Sequence, residues 1–218
     1  MRSFVPTQPI GLAQPGSTVA PRRLGRFILL WLALYCLPPL LLWLRVIAFD
    51  WRFRVLLVMT LVMLCYDCWR GMGPRELGFR RDTLRGSLLH NLAVSLLLVG
   101  LMLWGFKAGV IRAPGNPGWR LFCVHDLLVS SPSQEFLFRS NLFALMNRSN
   151  IRGPFAQVTL SAVTYSFLHI FYNDPLTLAV TLFAGLLWGW IYYKYPNFWG
   201  VALSHAALGA TAILVGLI

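Results

Sequence analysis

Apolar segments of membrane-spanning length follow one another along this chain, and they limit its fold more than any other feature. A helix needs about 20 predominantly apolar residues to cross the hydrocarbon core of a bilayer. The apolar runs predict spans at about Phe27–Leu44, Phe53–Trp69, Ser87–Phe106, Trp119–Met146, Pro154–Phe171, Leu176–Tyr193 and Phe198–Leu217. The predicted fold class is therefore all-α: a polytopic integral membrane helical bundle with about seven transmembrane helices.

The composition agrees with a bundle built for lipid. Only 12% of the 218 residues are charged, against roughly 25% in a typical soluble domain. Residues 1–21 are rich in Pro, Gly, Ser, Thr and Gln and lack periodicity, so we expect a disordered N-terminal tail there. Residues 22–218 are predicted to form a single transmembrane domain.

The net charge of +12 indicates a membrane surface rather than nucleic acid as the partner. The basic residues fall in short runs between the apolar segments, which is the pattern of cytoplasmic loops facing anionic lipid headgroups. The side of the membrane that holds the N-terminus carries more Lys and Arg than the opposite side. We therefore expect the N-terminus in the cytoplasm and no nucleic-acid binding.

Ionisable residues inside three of the predicted spans mark a candidate site. Glu135 and Arg139 lie four residues apart, so they share one helix face and can form an ion pair. His169 lies late in the fifth span and His205 early in the last. Charged and imidazole groups at membrane depth are costly and usually face a bundle interior or a wet cavity, so we expect these four side chains to converge.

A carboxylate and two imidazoles permit two chemical schemes. In the first, Glu135 and a histidine activate a water molecule, and the second histidine donates a hydrogen bond to the developing oxyanion. In the second, Glu135, His169 and His205 hold a zinc ion. The HExxH helix signature of metallopeptidases is absent from the sequence, so such a zinc site would have to be assembled from three helices.

At these residues the chain resembles the CAAX-protease and bacteriocin-processing family (CPBP, also called Abi) of intramembrane proteases. Their pattern is Glu-Glu-x-x-x-Arg, then Phe-x-x-x-His, then His-x-x-x-Asn, on separate spans. The segments Gln134–Arg139, Tyr165–His169 and His205–Gly209 match it in order, and Arg75–Arg80 is similar to the connector before the family's core. The resemblance covers about residues 75–215.

The resemblance implies an intramembrane endopeptidase without a metal cofactor. Glu135 and His169 would activate water, His205 would stabilise the oxyanion, and Arg139 would keep Glu135 ionised and oriented. Its partners would be the bilayer and a peptide or membrane-anchored protein substrate, such as a secreted peptide, a C-terminally anchored protein or a prenylated tail. The expected location is the inner membrane of a bacterium. The oligomeric state is not predicted.

Three positions depart from the family pattern and keep other functions open. Gln134 replaces the first glutamate of the family pair, Gly209 replaces the asparagine of the third motif, and Tyr165 replaces a phenylalanine. A neutral amide cannot accept a proton, so Gln134 and Gly209 both favour a non-catalytic scaffold or immunity-type protein on the same fold. A transporter that uses Glu135 and the histidines as a proton relay is the third alternative, although no internal repeat accompanies it.

Overall fold

A computed structural model describes residues 21–109 and 123–215, so the tail predicted for residues 1–21 lies outside the described residues except for Pro21. Within these ranges the chain is helical and contains no strand, which confirms the all-α class. The first range contains α1 (Pro21–Trp31), a π-helical turn (Leu32–Cys36), α2 (Leu37–Trp43), a 3-10 turn (Phe49–Trp51), α3 (Arg52–Trp69) and α4 (Leu84–Lys107). The second contains a π-helical segment (Cys123–Ser130), α5 (Ser131–Glu135), a second π-helical segment (Phe136–Asn141), α6 (Leu142–Arg148), α7 (Pro154–Phe167), a 3-10 turn (Ile170–Tyr172), α8 (Pro175–Lys194) and α9 (Phe198–Leu214).

The distribution of apolar and polar side chains in the bundle is that of a membrane protein. Three helices in the described ranges are long and apolar enough to cross a bilayer: Arg22–Trp43, Leu84–Lys107 and Pro175–Lys194. Large apolar side chains on α4 point outward, with Leu96 65% and Leu97 63% exposed, while Asn91 and Ser95 of the same helix are buried. Apolar side chains outside and polar ones inside fit a lipid environment, and the protein is an all-α membrane bundle.

A central helical rod carries the Glu135–Arg139 motif. It consists of α5, the π-helical segment Phe136–Asn141 and α6, and every residue from Ser133 to Met146 is buried. Pro132 does not start a separate helix, because Ser130, at the start of α5, already has helical backbone angles and forms no side-chain cap bond. The motif therefore lies inside a rod surrounded by other helices.

A buried polar network joins the rod to the first helices. The Asn141 side-chain amide donates to Asp67 Oδ1 at 2.6 Å, and the Tyr35 hydroxyl donates to Asn141 Oδ1. The same hydroxyl lies 3.2 Å from the carbonyl oxygen of Leu137. Because a broken bond here would leave polar groups buried without partners, the network fixes the rod's rotation relative to α3 and the π-helical turn.

Two glycines let α8 approach α7 closely. A Cβ on Gly185 would lie 2.9 Å from Ala162 Cα, and one on Gly189 would lie 3.3 Å from a methyl of Val158. Small residues four apart permit such close helix packing in membranes. The GxxxG spacing therefore serves packing within the chain, and it places Trp188, which lies between the two glycines, toward the bundle interior.

One end of the bundle, called here the basic end, contains the turns between α3 and α4. Residues 70–83 form turns rather than a helix. Gly78 O accepts from Phe198 N at 3.0 Å, which ties these turns to the start of α9. Arg148, at the end of α6, donates to both carboxylate oxygens of Glu76, at 2.5 and 2.7 Å.

The opposite end, called here the cleft end, joins the end of α2, the start of α3 and the end of α7. Trp43 Nε1 donates to Asn173 Oδ1 at 2.9 Å. The Phe49 ring packs edge-on against Phe171 and Tyr172, with ring centroids 5.9 and 5.7 Å away. These contacts gather three helix termini around the opening described below.

Candidate active site

Glu135 and Arg139 form an ion pair with no exposure to solvent. Arg139 Nη1 donates to Glu135 Oε1 at 3.1 Å, and both side chains have 0% exposure. The pair predicted from the four-residue spacing is therefore present. A carboxylate withdrawn this far from water needs compensating hydrogen bonds and counter-charge, which Arg139 supplies from the same helix face.

His205 forms a second hydrogen bond to the same carboxylate oxygen of Glu135. Its Nδ1 lies 2.7 Å from Glu135 Oε1, and its ring stacks on Trp188 at 4.6 Å between centroids. Trp188 Nε1 donates to Ser204 Oγ at 2.9 Å, which holds the indole in place. Because an ionised carboxylate only accepts hydrogen bonds, the proton on His205 is assigned to Nδ1, and Nε2 faces away from Glu135.

Tyr165 lies between the two histidines and is the residue whose importance the sequence did not reveal. Its hydroxyl is 3.3 Å from His205 Nε2, and its ring lies 4.3 Å from the guanidinium carbon of Arg139. Its backbone carbonyl accepts from His169 Nδ1 at 3.0 Å. A protonated Nδ1 leaves the neutral His169 ring with an unprotonated Nε2, a potential base. The phenylalanine-to-tyrosine departure thus adds a hydroxyl to the centre of the site.

A cleft reaches the site from the cleft end. Gln134, Ser130 and His169 line its inner part, and its walls are mainly apolar side chains such as Leu56 and Met59. Its volume of about 30 Å³ is enough for about two water molecules. Water can therefore stand against the amide of Gln134 and the imidazole of His169.

Glu135, Arg139 and His205 are not among the residues that line this cleft. They form a layer behind it, and His169, which faces the opening, is linked to that layer by the Tyr165 ring, which lies against His205 and Arg139. The Gln134 amide donates to Ser130 Oγ at 2.7 Å, and its carbonyl oxygen has no hydrogen-bond partner within the described ranges. Glu135 Oε2 likewise has none there. Two acceptor atoms, Gln134 Oε1 and Glu135 Oε2, are therefore left for water or substrate.

Gly209 leaves space beside His205. A Cβ at this position would have His205 Cδ2 as its nearest neighbour, at 3.8 Å, which is an ordinary contact distance. A side chain would thus be tolerated where the family carries an amide. In this chain the hydrogen-bonding group next to His205 is instead the Tyr165 hydroxyl.

The three residues of the zinc alternative are not arranged as metal ligands. Among the described residues, no group of three or more His, Cys, Asp and Glu side chains is placed to hold a metal ion. The short contact between His205 Nδ1 and Glu135 Oε1 requires a proton, whereas a metal-bound nitrogen must offer its lone pair. The residues as placed do not fit zinc, and independence from metal stays a prediction.

Comparison with known proteins relates this part of the chain to a protease family. A family model described as Type II CAAX prenyl endopeptidase Rce1-like matches residues 116–211, a segment that contains Gln134, Glu135, Arg139, His169 and His205. This match confirms the resemblance to the CPBP family, and it supports an intramembrane protease at family level. No curated protein and no solved structure matches the chain.

Proposed function

We propose that this protein is an intramembrane endopeptidase of the glutamic CPBP type that cleaves a peptide or membrane-anchored protein near the bilayer. The observation that carries the proposal is the fully buried Glu135, held by Arg139 and His205 directly behind a water-sized cleft bounded by His169. A packing role alone would not require four costly polar groups on three helices to converge.

The proposed reaction is the attack of water on a peptide carbonyl. Glu135 and His169 activate the water: its proton passes to His169 Nε2, and its oxygen bonds to the carbonyl carbon and leaves a tetrahedral oxyanion. His205, whose Nδ1–H is held by Glu135, stabilises that oxyanion through a second proton on Nε2, while Arg139 keeps Glu135 charged and oriented. The intermediate collapses by breaking the C–N bond, and the proton taken from water passes to the departing amine. His169 Nε2 is the base nearest to the cleft, and Glu135 contributes through its uncommitted Oε2.

One observation favours the second candidate, a non-catalytic scaffold or immunity-type protein. The residue that lines the cleft at the position of the family's first glutamate is the neutral Gln134. If the amide only holds a peptide, the same cleft becomes a binding site without hydrolysis. Cleavage assays on site variants separate the two functions.

The basic residues at the two ends of the bundle support a proposal for its orientation. The basic end and the α1 terminus beside it carry Arg22, Arg23, Arg26, Arg70, Arg75, Arg80, Arg81, Arg85, Arg148, Arg152 and Lys194. Of the described residues, the cleft end carries Arg45, Arg52, Arg54 and Lys107. Because Lys and Arg accumulate on the cytoplasmic side, we propose a cytoplasmic N-terminus in a bacterial inner membrane and a cleft that opens to the outer side.

This orientation bears on the substrate. A cleft that opens to the outer side is reached by secreted peptides and by the outer ends of anchored proteins. Prenylated tails in the cytoplasm would face the opposite end of the bundle, so we rank them last among substrates. Single cysteines introduced by Val46→Cys at the cleft end and Gly73→Cys at the basic end test the orientation in a background without native cysteines. A membrane-impermeant maleimide should label the first in intact cells and the second only after permeabilisation, and the reverse pattern would invert the orientation.

The test of function is proteolysis by the purified full chain in lipid nanodiscs, with a panel of single-span anchored peptides. Wild-type protein should cut at least one peptide, and His169→Ala should abolish the cut. His90→Ala is the matched control, because His90 is an exposed histidine on α4 that contacts the Gly86 carbonyl and the Tyr195 ring. If no peptide is cut and biological function survives the His169 substitution, the non-catalytic function replaces this one.

The proposed independence from metal has its own test. Activity should survive prolonged chelation, since Arg139 already supplies the cation beside Glu135. Stoichiometric zinc in the active protein, with activity lost on chelation and restored by zinc, would contradict the scheme.

A further inference from the structure

Arg52 places a cation at the entrance of the cleft, where helix electrostatics disfavour it. It is the first residue of α3 and belongs to the lining of the cleft together with Phe53, Phe171 and Tyr172. The N-terminus of a helix carries partial positive charge and favours anions. A half-buried arginine at this position is therefore poorly explained by the stability of α3.

Aromatic rings and one backbone carbonyl hold the guanidinium, and none of them neutralises it. Its central carbon lies 4.1 Å from the centroid of Phe49 and 4.6 Å from that of Phe53. Arg52 Nη1 donates to Phe49 O at 3.3 Å, while the buried Nε has no hydrogen-bond partner in the part of the chain that the structure describes. Within that part, no salt bridge involves Arg52. Of five N–H donors, most are uncommitted.

Such a guanidinium is prepared for an anion that enters the cleft. The rings of Phe49 and Phe53 pack against the guanidinium and restrict its movement. Its planar group of N–H donors matches the two oxygens of a carboxylate. The apolar walls lower the local dielectric, which strengthens a charged hydrogen bond compared with one in open water.

We propose that Arg52 is the anion-binding residue of the cleft and holds a carboxylate of the peptide that enters it. The inference rests on the proposed function, because it names a chemical group of the substrate of that same site. The carboxylate comes from an acidic side chain or from a free peptide C-terminus, and both present the same two oxygens. Specificity would thus be set at the entrance, one helix away from the reacting groups.

Binding of three matched apolar peptides tests the proposal without requiring cleavage. The first ends in a free carboxylate and has no acidic side chain, the second is amidated and contains one aspartate, and the third is amidated with asparagine in its place. Fluorescence anisotropy with the full chain in zwitterionic nanodiscs gives each Kd. A charge-assisted hydrogen bond implies that at least one carboxylate peptide binds about 10- to 100-fold more tightly than the neutral one.

Variants of two neighbouring arginines make the test specific. Arg52→Gln should remove the carboxylate preference, and Arg52→Lys should keep a smaller one because the charge remains. Arg54→Gln is the matched control and should keep the full preference. Arg54 lies in the same helical turn, but it stacks on Trp51 at 4.5 Å and does not line the cleft. Comparing the two carboxylate peptides identifies which source of the group is bound.

Several results would overturn the proposal. One is that the wild-type protein binds all three peptides equally, and another is that it binds none of them. A third is that Arg52→Gln keeps the same preference for the carboxylate peptides. Loss of a co-purified phospholipid in Arg52→Gln without any peptide preference would assign the cation to a lipid headgroup instead. Because hydrolysis is not measured here, a carboxylate preference without cleavage would contradict only the protease function. Cleavage without the preference would contradict only the role of Arg52.

Discussion

The ion pair behind the cleft makes Glu135→Gln a test of structure as well as of catalysis. In this variant the amide keeps the shape of the side chain and loses its charge. Arg139 then stays fully buried, and its Nε and Nη2 already lack partners among the described residues. Breaking a buried ion pair by removing one partner costs about 3–5 kcal/mol. The rings of Tyr165 and Trp188, 4.3 and 5.4 Å from the guanidinium carbon, also stabilise the cation, so we expect about 3 kcal/mol.

A double-mutant cycle separates this loss of stability from the loss of a base. Arg139→Met removes the cation with little change in volume, and the double variant removes both charges. Because a buried pair replaced by neutral groups is often no less stable, the double variant should be more stable than the sum of the single changes predicts, by about 2 kcal/mol. Activity should be absent from every variant that lacks the Glu135 carboxylate, including the stabilised double variant.

Unfolding of the purified protein in mixed micelles, followed by tryptophan fluorescence, gives the four free energies. Glu76 and Arg148 provide a matched control pair on the basic end, since their side chains are 30% and 31% exposed. Coupling in that pair should be at most about 1 kcal/mol. If Glu135→Gln costs no more than Glu76→Gln, the buried pair does not stabilise the bundle and the assignment of Arg139 is wrong. If Glu135→Gln keeps full proteolytic activity, Glu135 is not a base.

Four further changes have expected outcomes. In a cleavage assay Gln134→Glu should raise turnover, because it adds a carboxylate to the cleft wall, and a fall would mean that the amide is itself required. His169→Ala should lower kcat by about 10²- to 10⁴-fold as loss of a base, and His205→Ala by about 10²- to 10³-fold as loss of an oxyanion donor; unchanged kcat in either variant would remove that residue from the mechanism. Tyr165→Phe should lower kcat about three- to tenfold with little change in KM or in unfolding, as expected for one neutral hydrogen bond to His205, whereas a parallel loss of stability would give the hydroxyl a merely structural role. A hydrogen bond from Arg80 lowers the pKa of Asp82 to about 2. The small contribution of this carboxylate to stability should therefore be present above about pH 4 and lost as the pH falls towards 2. Asp82→Asn should remove that pH dependence in unfolding experiments.

The sequence predicted the fold class and the ion pair because each depends on local spacing. Apolar runs of span length require helices in lipid, and two residues four apart on a helix face the same side. The neighbours Gln134 and Glu135 illustrate the same geometry, because adjacent helix positions point about 100° apart. One faces the cleft and the other faces His205. Periodicity predicts this separation but does not show which of the two faces the cleft.

Contacts between distant segments could not be predicted. Trp188 stacks on His205 only because Gly185 and Gly189 bring α8 against α7, and GxxxG spacing alone does not name its partner helix. Tyr165 was visible as a departure from a motif, yet its hydroxyl gains a role only from the position of His205. Arg52 is one of several basic residues between the first two predicted spans, and its place in the cleft depends on how the end of α7 meets the start of α3.

The division of the site into a cleft wall and an inner layer limits how catalysis can proceed in this chain. At the wall, the amide of Gln134 can hold a water molecule but cannot take its proton, so that task falls to His169 Nε2 or to Glu135 Oε2. The inner carboxylate is already shared by Arg139 and His205, which both contact its Oε1 and leave only Oε2 uncommitted. His169 thus has the shorter route to the water and Glu135 the larger effect on the electrostatics of the site. Gln134→Glu would place a carboxylate without these two donors directly on the wall, which is why this single substitution best distinguishes an attenuated protease from a binding protein.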